Sequence, residues 1–514
     1  MKRLRYTYTL IILLAVLAGC TTVQAAAPDV RAVYLDFRTQ VMTLDAMKEL
    51  ARKAADDGMN AVVVEWEASF PFEENAVLCN RFAFSRSEVR AFIDCCAELG
   101  LDVIPVQNCF GHAEYILRHP RYAALKEDRK DCSQVCPLKA DLAEPLFRSI
   151  FGEIAALHPS PYIHIGCDET RLLGHCPACR KKVGEQGVSA LYVDYVVRMC
   201  RIVAELGKTP MIWADILLKH PEAIDRLPKE VVIVDWNYGW KPDYFGKMES
   251  IEHSGHEIWG ACSLRSHPDN LFLVQWRKHL ENIFDYTAYA AEHGFKGIIN
   301  TSWSTSGTYG YIYDDANEVV EIQPVREVYP HAGFDMLDEA YAAALAGRFR
   351  DPDAFLDDYC RTRLGLARPE EIVAVKEYFN MPQRPVAASG SNAQAIRAEL
   401  DRARDVREGF RKVQFPDAAQ TIARHLGLML DIRINYLRFK LLEDRTQSPE
   451  FRPSQAAACL DELNALLSGT EQLRKTFVRL NGDVLKDPAR SFNEWTYYGK
   501  MRNLADILRN MQPH

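Results

Sequence analysis

The chain has 514 residues, 48% of them hydrophobic, with 62 Lys and Arg against 70 Asp and Glu for a formal net charge of −8. That length can bury a large core but exceeds one compact unit, so two domains are expected behind any targeting segment. Acids and bases are interspersed with no basic stripe, which argues against nucleic acid as a partner.

Lys2, Arg3 and Arg5 precede an apolar run from Leu10 to Leu17, the layout of an export signal. The following Ala18-Gly19-Cys20 completes a stretch, from Leu17, that resembles the lipobox of bacterial lipoproteins. The resemblance implies cleavage before Cys20, lipidation of that residue and a protein held at the bacterial cell envelope, facing the periplasm or the outside. Residues 1–20 are thus expected to be a signal peptide and 21–30 a tether. No later stretch is apolar for long enough to span a bilayer.

From residue 31 to 335 a short β-branched or apolar run alternates with an amphipathic segment that ends at a glycine. The runs are Ala32–Leu35, Ala61–Val64, Val103–Val106, Tyr162–Ile165, Pro210–Trp213, Val231–Val234, Glu257–Trp259 and Gly297–Ile299. Gly58, Gly100, Gly207, Gly255 and Gly294 stand where helices hand over to strands, the position that tolerates a positive φ. Ser85-Arg86-Ser87-Glu88 has capping-box spacing ahead of Val89, Phe92, Ile93 and Cys96, which predicts a helix there. An open doubly wound sheet would alternate in the same way, but no glycine-rich dinucleotide fingerprint follows the first run. The expected fold is a (β/α)8 TIM barrel followed by an all-α C-terminal domain over residues 336–514. In that second part strand-like runs vanish, and segments rich in Ala, Leu, Arg and Glu such as Ala393–Val413 and Pro416–Leu442 take over. Phe439, Phe477 and Trp495 are expected in its core.

Most of the 14 cysteines sit in apolar segments and read as core residues. Cys132, Cys136, Cys176 and Cys179 lie instead in polar loops, and this four-thiol set suits a structural zinc ion or, in an exported chain, disulfides.

A parallel barrel keeps its chemistry at the C-terminal ends of its strands. Asp36 and Arg38, Glu65 and Glu67, Asn108 and His112, Asp168 and Glu169, Trp213 and Asp215, Trp236 and Tyr238, Trp259 and Trp303 all fall there. Tryptophan stacks on the apolar face of a pyranose while acids and arginine take its hydroxyls, so the set suits a sugar. The adjacent acids can share a pocket only where the strand breaks into its loop, and Gly166 supplies that freedom. Two acids so placed are not equivalent, and one of them can hold its proton as a general acid.

His164-Ile165-Gly166-Cys167-Asp168-Glu169, together with Phe110-Gly111-His112 and Phe70-Pro71-Phe72-Glu73, resembles glycoside hydrolase family 20, the β-N-acetylhexosaminidases, and within it the hexosaminidase D group. Trp213-Ala214-Asp215, Trp236-Asn237-Tyr238 and Thr301-Ser302-Trp303 follow as strand-end motifs in the family's order. The resemblance implies a retaining, substrate-assisted reaction on a terminal β-linked N-acetylhexosamine of a glycan, with no cofactor. It makes Glu169 the general acid, Asp168 the partner of the acetamido N–H, and Tyr238 the donor to the acetamido oxygen. Trp213, Trp236 and Trp303 become the walls of the pocket. His112 is expected to join a relay with Glu65 or Glu67, while Asp36, Arg38 and Asp215 are candidates for the sugar hydroxyls. Three rivals stand beside this reading: a retaining glycosidase with Glu65 or Glu67 as nucleophile, a lipid-anchored glycan-binding protein without turnover, and a metal-dependent barrel hydrolase. The last lacks a convergent ligand set, because His112, His164 and His175 are not suitably spaced.

Overall fold

The computed structural model describes residues 27–305, 309–313, 319–324, 327–386, 393–488, 492 and 498–511. The expected signal peptide, Cys20, the tether as far as residue 26, and Trp495 lie outside the described residues.

Eight parallel strands close into a barrel in chain order: β1 (Val30–Asp36), β2 (Ala61–Glu65), β3 (Asp102–Val106), β4 (Tyr162–His164), β5 (Thr209–Trp213), β6 (Val232–Trp236), β7 (Ile258–Arg265) and β8 (Gly297–Ser302). Each overlaps one of the apolar runs, β7 only at Ile258 and Trp259. These strands are covered by helices outside and side chains inside, so they show near-continuous apolar character in place of alternation; every residue of β2 is buried. Register pairs Ala32 with Ala61 and Val62 with Val103, and Val33 against Asn300 closes the ring.

The helix Arg86–Glu98 begins at the predicted capping box, with Ser85 and Glu88 each satisfying the other's backbone N–H, and buries Val89, Phe92, Ile93 and Cys96 against the barrel. One rim assignment fails. Trp259 is the second residue of β7, at the opposite end of the barrel, where its ring lies 5.3 Å from Tyr162 and its indole N–H donates to Glu257. The strand continues to Arg265 with every residue buried, so no change of polarity marks its end. An antiparallel pair, Tyr309–Tyr313 with Val319–Pro324, follows β8 and has no counterpart in the sequence reading.

Beyond residue 335 the described elements are helices and short helical turns, the longest being Ala393–Arg411, Gln420–Gln447 and Ala456–Leu480. They share one continuous core with the barrel's outer layer. Phe272 stacks on Tyr436 with ring centroids 3.7 Å apart, Arg433 donates to the Phe272 carbonyl, and Trp276 packs on Tyr378 and Phe379. Phe439 and Phe477 are buried as expected. Among the described residues no helix is long and apolar enough to cross a membrane.

Candidate active site

A cleft of about 400 Å³ opens at the C-terminal ends of the strands, within the range of small-molecule sites. Arg38, Glu65, Asn108, His112, Asp168, Glu169, Trp213, Trp236, Tyr238 and Trp303 line it, so sequence positions far apart in the chain meet there.

The acids share the cleft because the chain leaves β4 irregularly. Gly166 and Cys167 both have φ +73°, and Glu169 has φ +45°. Side chains rarely adopt this left-handed region, and strain of about 1–3 kcal/mol at such a residue persists only when its surroundings impose it. Here the surroundings do. The Cys167 carbonyl accepts from the Tyr192 hydroxyl at 3.0 Å, and the Glu169 N–H donates to Asp215 at 3.3 Å. A second loop interlocks with the first: a Cβ on Gly111 would sit 2.2 Å from the Asp168 carbonyl oxygen, and one on Gly166 would sit 2.1 Å from the Asn108 side chain.

His112, itself at φ +53°, joins the two acids. Its Nε2 lies 3.3 Å from Asp168 Oδ2 and 3.5 Å from Glu169 Oε2, and Arg171 reaches Glu169 at 2.8 Å. Burial alone would raise the Asp168 carboxyl, but the facing imidazolium and its hydrogen bond hold it below the ordinary range. Burial likewise works against a charged His112, yet Asp168 and Glu169 push it up to about 10. The histidine therefore pairs directly with the Asp-Glu couple, whereas a relay through the second strand was expected. Asp168 Oδ1 is buried without a hydrogen-bond partner.

Glu65 lines the cleft but is fully engaged. Its oxygens accept from Tyr34 at 2.8 Å and Asn108 at 2.6 Å, with Arg38 at 3.6 Å. Burial pushes it up to about 7, against the pull of Arg38. Glu67 does not reach the cleft; it sits in the turn Glu67–Ser69 at φ +45°, and burial with the nearby Glu65 raises its carboxyl. Asp36 and Asp215 also lie outside the cleft lining and serve as struts. Asp36 binds Arg38 through two contacts and accepts the Ser304 N–H, which aims the guanidinium over Trp303 at 5.2 Å. Asp215 holds the Glu169 backbone and Lys219, and burial together with the charge of Asp168 pushes it up to about 7.

The aromatic wall is larger than expected. Trp213 and Trp303 lie 6.1 Å apart, the Trp303 indole N–H donates to the Tyr238 hydroxyl at 3.0 Å, and Trp236 packs on Tyr238 at 5.2 Å. Tyr34, Trp240, Tyr244 and Phe245 extend it. The aromatic density after Trp236 was a readable signal for three of these; Tyr34 was hidden within an apolar strand. Phe70 and Phe72 from the quoted motifs instead pack together at 4.9 Å in the core.

The four-thiol set needs correction. Cys132 is fully buried elsewhere and donates to the Leu117 carbonyl at 3.3 Å. Glu127 takes its place: one atom each from Glu127, Cys136, Cys176 and Cys179 lie within 4.8 Å of one another.

Residues 34–261 match the family model for the catalytic domain of glycosyl hydrolase family 20. A hexosaminidase D from Bos taurus is 27% identical over 313 residues, covering 57% of this chain and 88% of that protein. One from Homo sapiens is 27% identical over 372 residues, covering 68% and 72%. A β-N-acetylhexosaminidase structure from Bacteroides fragilis aligns with a TM-score of 0.48 and 19% identity over 66% of this chain and 70% of that one. The family match runs from β1 into β7 and takes in both acids, His112 and Tyr238, so this part of the chain is similar to the catalytic domain of glycosyl hydrolase family 20.

Proposed function

We propose that the protein is an exo-acting β-N-acetylhexosaminidase that removes terminal, non-reducing β-linked GlcNAc or GalNAc from glycans with assistance from the substrate's own acetamido group. The observation that carries this is Asp168: a carboxylate of the aromatic-walled cleft, held below its ordinary range, with one oxygen on His112 and the other buried without a hydrogen-bond partner. An acetamido N–H satisfies that oxygen. A plain 2-hydroxy sugar brings no N–H to that oxygen.

In this reaction Glu169 donates its proton to the glycosidic oxygen as that bond breaks. The acetamido carbonyl oxygen closes on the anomeric carbon to form an oxazolinium intermediate. Asp168 accepts from the acetamido nitrogen and stabilises the positive charge, which is worth most in a site shielded from water. Tyr238 donates to the carbonyl oxygen and aims it, an orientation effect. Glu169 then takes a proton from water as the water opens the ring from the leaving-group side, so configuration is retained. Arg38, held by Asp36 at the cleft lining, is a cation for the sugar hydroxyls. The engagement of both Glu65 oxygens and the absence of Glu67 from the cleft lining speak against either as nucleophile.

Paired nitrophenyl substrates test this reading. The N-acetyl-β-glucosaminide is expected to turn over and the matching β-glucoside to give at most about 1% of that kcat/KM, a loss of about 3 kcal/mol of transition-state stabilisation. Comparable rates, with a covalent glycosyl-enzyme on Glu65 or Glu67, would instead establish the conventional mechanism.

The lipobox-like N-terminus makes this an envelope enzyme anchored through Cys20. Membrane fractionation is the measurement: Cys20→Ala should move the protein out of the membrane fraction, and an unchanged distribution would remove the anchor.

A further inference from the structure

We infer that Glu127, Cys136, Cys176 and Cys179 form a structural zinc site that clamps together the loops carrying the catalytic groups. The inference is independent of the glycosidase reading.

The spacing favours a metal over a disulfide. Cys136 Sγ lies 3.9 Å from Cys176 Sγ and 3.6 Å from Cys179 Sγ. In a tetrahedral site with Zn–S of about 2.3 Å the sulfurs stand about 3.8 Å apart, whereas bonded sulfurs stand about 2.05 Å apart. Glu127 Oε2 lies 3.3 Å from Cys179 Sγ, against about 3.6 Å for the corresponding oxygen–sulfur edge around zinc. Three thiols are also the wrong number for disulfides, since pairing any two strands the third beside a carboxylate.

The carboxylate gives a second, independent argument. Glu127 is 4% exposed, and among the described residues no Lys, Arg or His forms an ion pair with it. Its Oε1 accepts the Cys176 N–H at 2.8 Å, while Oε2 faces the thiols. A buried carboxylate is normally paired or bound to a cation. Three sulfurs and one oxygen select zinc over calcium or magnesium, which take all-oxygen shells.

The backbone already presents these groups. The arm 126–136 folds back on itself through the Lys126–Val135 bridge, with Glu127 N–H donating to the Gln134 carbonyl and Cys136 N–H to the Leu125 carbonyl. Cys176 caps the helix Pro177–Glu205, where the Cys179 N–H donates to its sulfur at 3.4 Å. Around the thiols, Cys136, Cys179 and Leu191 form a buried satellite cluster apart from the main core. The arm also touches both catalytic loops: the Ala113 N–H donates to Ser133, and the Leu172 N–H donates to Gln134. Zinc binding releases the thiol protons to solvent and ties residue 176, seven positions after Glu169, to residue 136.

Elemental analysis of the reduced full-length protein should find one zinc per chain, and cobalt(II) added to the stripped protein should give thiolate charge-transfer and tetrahedral d–d bands. Cys136→Ser and Cys179→Ser should each weaken metal binding at least about 100-fold in chelator competition. Cys132→Ser should leave it unchanged. Failure of the wild-type protein to bind either metal would overturn the proposal, as would equal loss in Cys132→Ser or a disulfide among these three cysteines in the protein as isolated. An unchanged melting temperature on stripping the metal would overturn the clamp. All of these readouts stand apart from glycosidase activity.

Discussion

Glu169→Gln should lower kcat on a disaccharide substrate by about 100- to 10,000-fold, the usual worth of a positioned general acid–base group. Glutamine keeps the side chain's size and its contact with Arg171 but carries no transferable proton. The loss should be smaller for a nitrophenyl glycoside, whose leaving group departs with little help, until the water-activating step limits turnover. Affinity for the N-acetyl sugar product should change by less than about threefold, because the side chain's shape is preserved. Steady-state rates on both substrates, with product binding by calorimetry, separate the possibilities. Equal activity in the variant would take the acid role away from Glu169. Wild-type protein that binds the product but turns over neither substrate would favour the glycan-binding rival.

Asp168→Asn should cost about 100- to 1,000-fold in kcat, the range for removing one preorganised stabilising group. The amide fits the space but loses the negative charge that faces the oxazolinium in the proposed mechanism, and it turns its own N–H groups toward the acetamido nitrogen or His112. A second readout follows from proton linkage. His112 rises from its ordinary 6.5 to about 10 in the folded protein, so the stability its charge contributes is fully present below pH 6.5 and is lost as pH rises through about 10. Asp168 is shifted the other way, and its share is lost only in acid. In Asp168→Asn the wild-type decline in stability between pH 6.5 and 10 should shrink, as followed by denaturant midpoints at a series of pH values. A variant with wild-type kcat, or with the same alkaline decline, would contradict the ion pair at the centre of the site.

Much of this architecture was legible in the chain because barrel strands are short, β-branched and bounded by helix-ending glycines. Ser85 and Glu88 announced their helix through a local rule that needs no tertiary context. The acids, His112 and three of the tryptophans could be gathered on one rim because strand order fixes which ends face the same way. What escaped depends on three-dimensional closure. Trp259 was misplaced because β7 is buried on both faces and its apolar run gives no end point. Asp36 and Asp215 carry the right chemistry for sugar hydroxyls, yet each already serves a neighbour, Arg38 or the Glu169 backbone. Glu127 could not be matched to the cysteines because only the fold of the 126–136 arm places it among them. The direct contact of His112 with both acids arises from two loops meeting at left-handed residues, a conformation that no side-chain pattern advertises.

The close approach of Gly111 to the Asp168 carbonyl has a consequence for how such a site can diverge. With no room for even a methyl group between the histidine-bearing and acid-bearing loops, residue 111 cannot carry a side chain unless the backbone at Asp168 yields. Residue 111 is a fixed spacer between the two loops and stands outside the cleft lining that Trp240, Tyr244 and Phe245 extend.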